Sequence, residues 1–252
     1  MIMPNSEGDL EGEIRKRPIP HHVAFIPDGN RRFSSATGAS LSDGYRAGYD
    51  KVEDVLAWCG EFKVPVVSIW VLSVDNFARP PNEVAALLAL IEDRIPALVA
   101  LQKRAAVPRR LRWLGRRDIF DERLRHLIAR AEEETVCHGP FVLNLALGYD
   151  GREEIVDAVK RLLADATTAH ESTTALAARL TAADIGQNLY DSGPAPDLIV
   201  RTSGELRLGG FLLWQSVSAE LYFCDALWPN LQRGEVLHAL ASFQRRDRRH
   251  GR

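Results

Sequence analysis

Cysteine is scarce in this chain. Its three copies, Cys59, Cys137 and Cys224, are odd in number, far apart and without C-x-x-C spacing. That pattern points to neither a disulfide framework nor a zinc site, and a reducing cytoplasm fits it. Net charge is nearly absent too: 32 Lys and Arg stand against 34 Asp and Glu. A near-neutral chain has no whole-molecule attraction for nucleic acid, so no nucleic-acid partner is expected and basic clusters are judged locally. Long apolar runs are missing. VPVVSIWVLSV is too short to span a bilayer, and VAALLALIEDRIPALVAL carries Glu92, Asp93 and Arg94 at its middle, so membrane contact is expected to be peripheral at most. The opening MIMPNSEGDLEGEIRKRPIP has no signal-peptide core and reads as a flexible acidic lead-in over 1–20, leaving 21–252 as one domain. G-x-G-x-x-G and Walker loops are lacking, which disfavours a nucleotide-binding Rossmann protein. There is no internal repeat.

What is present is 46% apolar residues in a chain long enough for one sizeable core. Val23 to Ile26 is a short apolar run suited to a strand covered on both faces. Ser42 and Asp43 are placed to cap a helix through Phe62, and Val64 to Ser73 is a second buried strand. Asn82 is expected to cap a long apolar helix from Glu83 to Lys103. A short strand at 111–115, a helix at 121–136, a strand at 141–149 and a helix from Gly151 follow. Thr167 to Ala177 reads as an exposed loop, Asp197 to Arg201 as a strand, and the chain ends in a helix. Strands alternating with helices predict an α/β domain: a central, mostly parallel sheet flanked by helices.

Chemistry collects at strand ends. After the first strand, Asp28 offers a hard oxygen ligand for Mg²⁺, Gly29 allows close backbone approach, and Asn30, Arg31 and Arg32 supply donors for a phosphate. Asp-Gly-Asn alone is more often a turn, and paired arginines are usually solvated. The combination carries the reading. After a later strand, Arg201 and Arg207 flank Thr-Ser-Gly, whose amides and hydroxyls are candidates for cradling a second phosphate. Glu220 lies in an otherwise apolar segment, where a carboxylate calls for exposure, a metal or an arginine.

HVAFIPDGNRRF resembles the signature H-x-A-x-I-x-D-G-N-x-R-[WF] of the cis-prenyltransferases, the undecaprenyl diphosphate synthase family. LSVDNFARP is similar to that family's S-x-E-N-[WF]-x-R-P, and RTSGELRLGGFLLWQSVSAELYF to its R-T-x-G-E-x-R loop and W-Q-x-x-x-x-E-x-[YW]-F run. The similarity extends from His22 to Gly251. It implies the family fold with an apolar product tunnel, and a catalytic domain over 21–252. It implies a homodimeric enzyme that joins isopentenyl diphosphate to an allylic diphosphate (dimethylallyl, geranyl or farnesyl) with a new Z double bond and Mg²⁺ as cofactor. Asp28 would be the catalytic aspartate and a metal ligand, with Glu220 completing the metal environment. Gly29, Asn30, Arg31, Arg32 and Phe33 would hold the allylic diphosphate, and Ser73 and Asn76 would act where condensation occurs. Arg79 matches a further family arginine. Arg201, Ser203 and Arg207, with Arg249 and Gly251 from the tail, would bind isopentenyl diphosphate.

The chain departs from the family pattern at Leu41, Tyr45, Leu206 and Gly209, where arginine, histidine, histidine or glutamine, and serine are frequent. Val71 is bulkier than the alanine of long-chain members, which favours a short product. Two alternatives stay open: an irregular lavandulyl-type synthase joining two dimethylallyl units, and a non-catalytic partner subunit. D-D-x-x-D motifs are lacking, which disfavours the α-helical trans class.

Overall fold

The computed structural model describes residues 6–245. In chain order the elements are α1 (Glu7–Ile14), β1 (His22–Ile26), α2 (Asn30–Thr37), α3 (Leu41–Glu61), β2 (Val66–Ser73), α4 (Pro81–Arg104), β3 (Arg110–Leu114), α5 (Glu122–Glu134), β4 (Val142–Tyr149), α6 (Gly151–Thr168), α7 (Thr173–Arg179), α8 (Ala182–Gln187), β5 (Leu198–Arg201), β6 (Glu220–Phe223) and α9 (Arg233–Arg245). The six strands pair in parallel in the order β3-β4-β2-β1-β5-β6. This is the single α/β domain that the alternating pattern predicts.

Alternation along the central strands builds a core on each face. Val23 and Phe25 point into the larger core, which takes in residues of α3, α4, α5 and α9, whereas Ala24 and Ile26 point into a smaller one with Tyr149, Phe211 and Leu212. Every residue of β1 is buried. From β1 the chain turns towards β2 and β4; β5 returns to the opposite side of β1. The gap between β1 and β5 is therefore a topological switch point, where open α/β sheets bind ligands beyond the strand ends.

β2 contains a bulge. Trp70 pairs with Ala146 and Leu72 with Leu147, which leaves Val71 as the extra residue. Both Val71 and Leu72 consequently pack against the larger core, where strict alternation would have separated them.

Three expectations need correction. The flexible lead-in does not hold over Glu7–Ile14: α1 buries Leu10 and Ile14 in the larger core. Arg233 of α9 ties it down, reaching Glu11 at 2.6 Å and Glu7 at 3.6 Å, and Gln244 donates to the Ile14 carbonyl at 3.0 Å. The acidic composition hid the i, i+4 apolar pair. Thr167 to Ala177 is not a loop throughout, because α6 runs to Thr168 and Ser172 caps α7 through the Ala175 N–H. The helix caps at 42–43 and 82 also move: Ser40 accepts from the Asp43 N–H, and α4 begins at Pro81, a residue suited to the first turn because its missing N–H costs nothing there.

Candidate active site

Asp28 is held by its backbone before its side chain does anything. Its N–H donates to the Thr202 hydroxyl at 2.8 Å, and its carbonyl accepts from that hydroxyl at 2.8 Å and from the Trp228 N–H at 2.9 Å. Thr202 is fully buried, so the end of β1 is clamped to the end of β5. Thr202 is not among the site residues expected from sequence, because its role depends on a partner 174 positions away. Gly29 follows with φ +105°, and a Cβ there would lie 2.8 Å from Leu227. Both facts require glycine at the start of α2. The chain is helical over 30–37, and the first turn of this helix offers backbone N–H groups beside Asp28. Close packing of α2 on α3 needs Gly44 and Gly48, where added carbons would meet Ser34 Oγ at 2.0 Å and Asn30 Oδ1 at 2.3 Å.

The Asp28 carboxylate is about a third exposed and accepts from Arg201 Nη2 at 2.8 Å. Arg201 is nearly buried, and its other terminal nitrogen donates to the Arg207 carbonyl at 2.5 Å. Gly209 closes this turn at φ +66°, a conformation that favours glycine, and an added Cβ would sit tightly at 3.1 Å from Arg201 Nη1. Arg32 donates to the Ser203 hydroxyl at 2.5 Å and faces Glu205 at 3.6 Å and Asp28 at 3.9 Å. Arg207 pairs with Glu205 and is mostly exposed, and Leu206 stands out at the loop tip.

The expected amide cradle at Thr-Ser-Gly is corrected. The N–H groups of Ser203 and Gly204 donate to the carbonyls of Ala226 and Cys224 at 2.8 and 2.9 Å, and the Thr202 hydroxyl is taken by Asp28. Those groups stabilise the turn, in which Ser203 itself adopts φ +76°. Side chains are left to meet a phosphate there.

From β2, Ser73 begins a short 3-10 turn, and its N–H donates to Asn76 Oδ1 at 3.1 Å, leaving the Asn76 NH₂ as a donor. Arg79 donates to the Tyr45 hydroxyl at 2.7 Å and to Glu83 at 3.0 Å, while Tyr45 donates to Glu83 at 2.8 Å. Burial, with the Glu83 bond second, pushes the Tyr45 phenol up to about 12. Burial pushes Glu83 up as well, but the Tyr45 hydrogen bond and the charges of Arg79 and Arg31 outweigh it and leave the carboxyl below its usual value. The Tyr45 phenol and the Glu83 carboxylate thus fix Arg79 in place.

Two spaces meet at this edge. An open basin is lined by Arg31, Arg32, Arg207 and Glu205, and a cleft by Ile69, Trp70, Val71, Ser73 and Trp228. Asp28, Asn30, Tyr45 and Arg79 line both. Beyond Tyr49, Val52 and Val71 lies a third, small and mostly apolar chamber between α3, α4 and the sheet, with Glu53 and Arg94 also in its lining. Anion-binding groups and a hydrocarbon space therefore share one wall.

Glu220 does not join this set within one chain. It opens β6 and pairs with Leu198, on the row of Val23, which is roughly 16 Å along the strands from Asp28 at about 3.3 Å per residue. Phe33 is half-buried on α2, where its N–H closes the first turn on Gly29 at 2.8 Å. Arg249 and Gly251 lie outside the described residues. Among the described residues no three His, Cys, Asp or Glu side chains come together as a metal cage. One partly exposed carboxylate ringed by arginines suits a hard cation that arrives with a diphosphate and takes most of its oxygens from it.

A six-stranded parallel sheet with an anion-binding basin at its switch point and a mostly apolar chamber alongside suits molecules that pair a diphosphate with a hydrocarbon. The prenyltransferase family model of undecaprenyl diphosphate synthases matches residues 26–251, and the chain belongs to that family of cis-prenyltransferase enzymes. It is 46% identical over 247 residues to an isoprenyl transferase of Thermus thermophilus, covering 98% of this chain and 94% of the relative. It is 41% identical to the (2Z,6E)-farnesyl diphosphate synthase of Thermobifida fusca, covering 97% and 95%. Among solved structures it is similar to lavandulyl diphosphate synthase of Lavandula x intermedia in complex with dimethylallyl diphosphate, with TM-score 0.86, 29% identity, and 95% and 100% coverage. Among the described residues no helix is long and apolar enough to cross a membrane.

Proposed function

We propose that this cis-prenyl diphosphate synthase adds isopentenyl diphosphate to an allylic diphosphate and makes a short Z-configured product as a homodimer. The observation that carries the reading is the shared wall: Asp28, Asn30, Tyr45 and Arg79 line both the charged basin and the apolar cleft. An allylic diphosphate seated there would place its phosphates among Arg31, Arg32 and the first turn of α2, with its hydrocarbon running past Val71. Loss of diphosphate builds negative charge on the leaving oxygens, and fixed guanidinium groups stabilise that charge more strongly as the bond breaks. Mg²⁺, when bound with the diphosphate at Asp28, supplies further charge neutralisation at those oxygens. Arg201 and Arg207 would hold the second diphosphate, and Arg79 is held at the seam by Tyr45 and Glu83. Ser73 and the Asn76 NH₂ stand at the end of β2, where the new bond would form and a proton would leave. The retained Asp28 and Asn30 speak against a non-catalytic partner subunit.

The test is product analysis with Mg²⁺. Isopentenyl diphosphate is offered with dimethylallyl, geranyl or farnesyl diphosphate, and dimethylallyl diphosphate is offered alone. A short Z product that requires isopentenyl diphosphate is expected. Product from dimethylallyl diphosphate alone would indicate irregular coupling and overturn the reading, as would silence with every pair.

A further inference from the structure

We propose that Arg94 is a specificity-determining residue that stops chain growth in the apolar chamber; the inference rests on the prenyl-transfer reading above. On α4, Leu87, Ile91, Arg94 and Leu98 recur at helical spacing along one stripe. Leu87 lines the cleft, and the other three line the chamber behind it. Arg94 is therefore a cation in a stripe otherwise written for hydrocarbon. It crosses to α3, where Nη1 meets Asp50 Oδ1 at 2.9 Å. Asp50 is largely exposed, so the outer end of the guanidinium is solvated and anchored. The inner end differs: Nε is buried without a hydrogen-bond partner, and Asp93 Oδ2 at 3.9 Å is beyond hydrogen-bond reach.

This arrangement makes the chamber wall asymmetric. Val71, Ile95, Leu145 and Leu147 welcome a prenyl tail, whereas Arg94, with Glu53 opposite on α3, brings charge to the same lining, which hydrocarbon can neither hydrate nor pair. A tail that fills the chamber gains from burial until it reaches Arg94. A further isoprene unit would have to press against the guanidinium or pass between α3 and α4, which the Arg94–Asp50 pair ties together. Val71 lines both the cleft and the chamber, and Arg94 lines the chamber beyond it. Both act on length, but at successive points along the path.

Arg94→Leu should lengthen the longest product by at least one five-carbon unit, read by mass spectrometry of the product ladder from a fixed primer. Arg94→Lys, which keeps a cation able to reach Asp50, should retain the wild-type ladder. If Arg94→Leu is poorly folded, Asp50→Asn loosens the anchor from an exposed position and should shift the ladder the same way. An unchanged ladder in a folded Arg94→Leu variant, or in Asp50→Asn where it stands in for it, overturns the inference while the wild type remains an active synthase. Equal lengthening by Arg94→Lys and Arg94→Leu also overturns it, because shape rather than charge would then set the stop. A wild type silent with every substrate pair defeats the prenyl-transfer reading itself, and the inference falls with it.

Discussion

Replacing Thr202 with valine isolates one step in the logic of the site. The side chain is fully buried, and valine nearly matches its shape, so packing changes little and the hydroxyl alone is lost. Two bonds of 2.8 Å go with it, one to the Asp28 N–H and one to the Asp28 carbonyl. The carbonyl keeps the Trp228 N–H at 2.9 Å, but the N–H has no such substitute. A donor left unsatisfied costs about 1–3 kcal/mol when fully buried, and this part-buried N–H should fall at the lower end of that range. Urea denaturation should therefore show a lower midpoint with an unchanged slope. The catalytic effect should exceed the stability effect in consequence, since a displacement of about 1 Å in a positioned group can cost about 100-fold in rate. Turnover should fall in the folded variant more than substrate KM rises, and Thr202→Ser should restore most of it. A Thr202→Val enzyme with wild-type midpoint and turnover would refute the claim that this hydroxyl positions Asp28.

Asp28→Ala should remove turnover by more than about 100-fold, as loss of a group that stabilises transition-state charge does, while circular dichroism stays native; near-normal rates would end the catalytic assignment. Val71→Ala should lengthen products by opening the neck between cleft and chamber, and an unaltered product ladder would count against it. His22 gives a pH test of the fold. Burial holds its imidazole below the usual value despite the Pro194 carbonyl and the nearby Asp191, so the unfolded chain binds the proton more readily. Stability should thus be lost as pH falls through the ordinary histidine value of about 6.5 towards the folded one. Glu154 has the opposite sign, because burial raises its carboxyl and its ionisation costs stability as pH rises. Denaturation of wild type and His22→Gln between about pH 7 and 5 separates the two: parallel curves would show that His22 does not contribute.

Much of the sheet was legible because β1, β2 and β4 are apolar runs that end in polar chemistry, a pattern fixed within each segment. The site residues Asp28, Arg32, Arg79 and Arg201 do come together at the sheet edge. What escaped depended on partners distant in the chain. NRRFSSAT has little helical character of its own, and α2 forms where Gly29 turns left-handed and the glycines of α3 admit it. The Thr-Ser-Gly amides looked available because nothing local shows that the segment after β6 takes them. The register that sets Glu220 on the row of Val23 is invisible in sequence as well. The bulge at Val71 is likewise a property of the β2–β4 pair, yet it is what brings Leu72 onto the larger core beside Val71.

The clamp between β1 and β5 also has a temporal side. Asp28 and Arg201 are 173 positions apart, and the strands that carry them are neighbours only after the chain has gone out to β3 and come back. Loop-closure entropy makes so distant a contact slow to form. Catalytic competence should then emerge last during refolding, after the helical signal has recovered. Recovered turnover would serve as a clock for closure of the whole sheet, which no shorter fragment of the chain could keep.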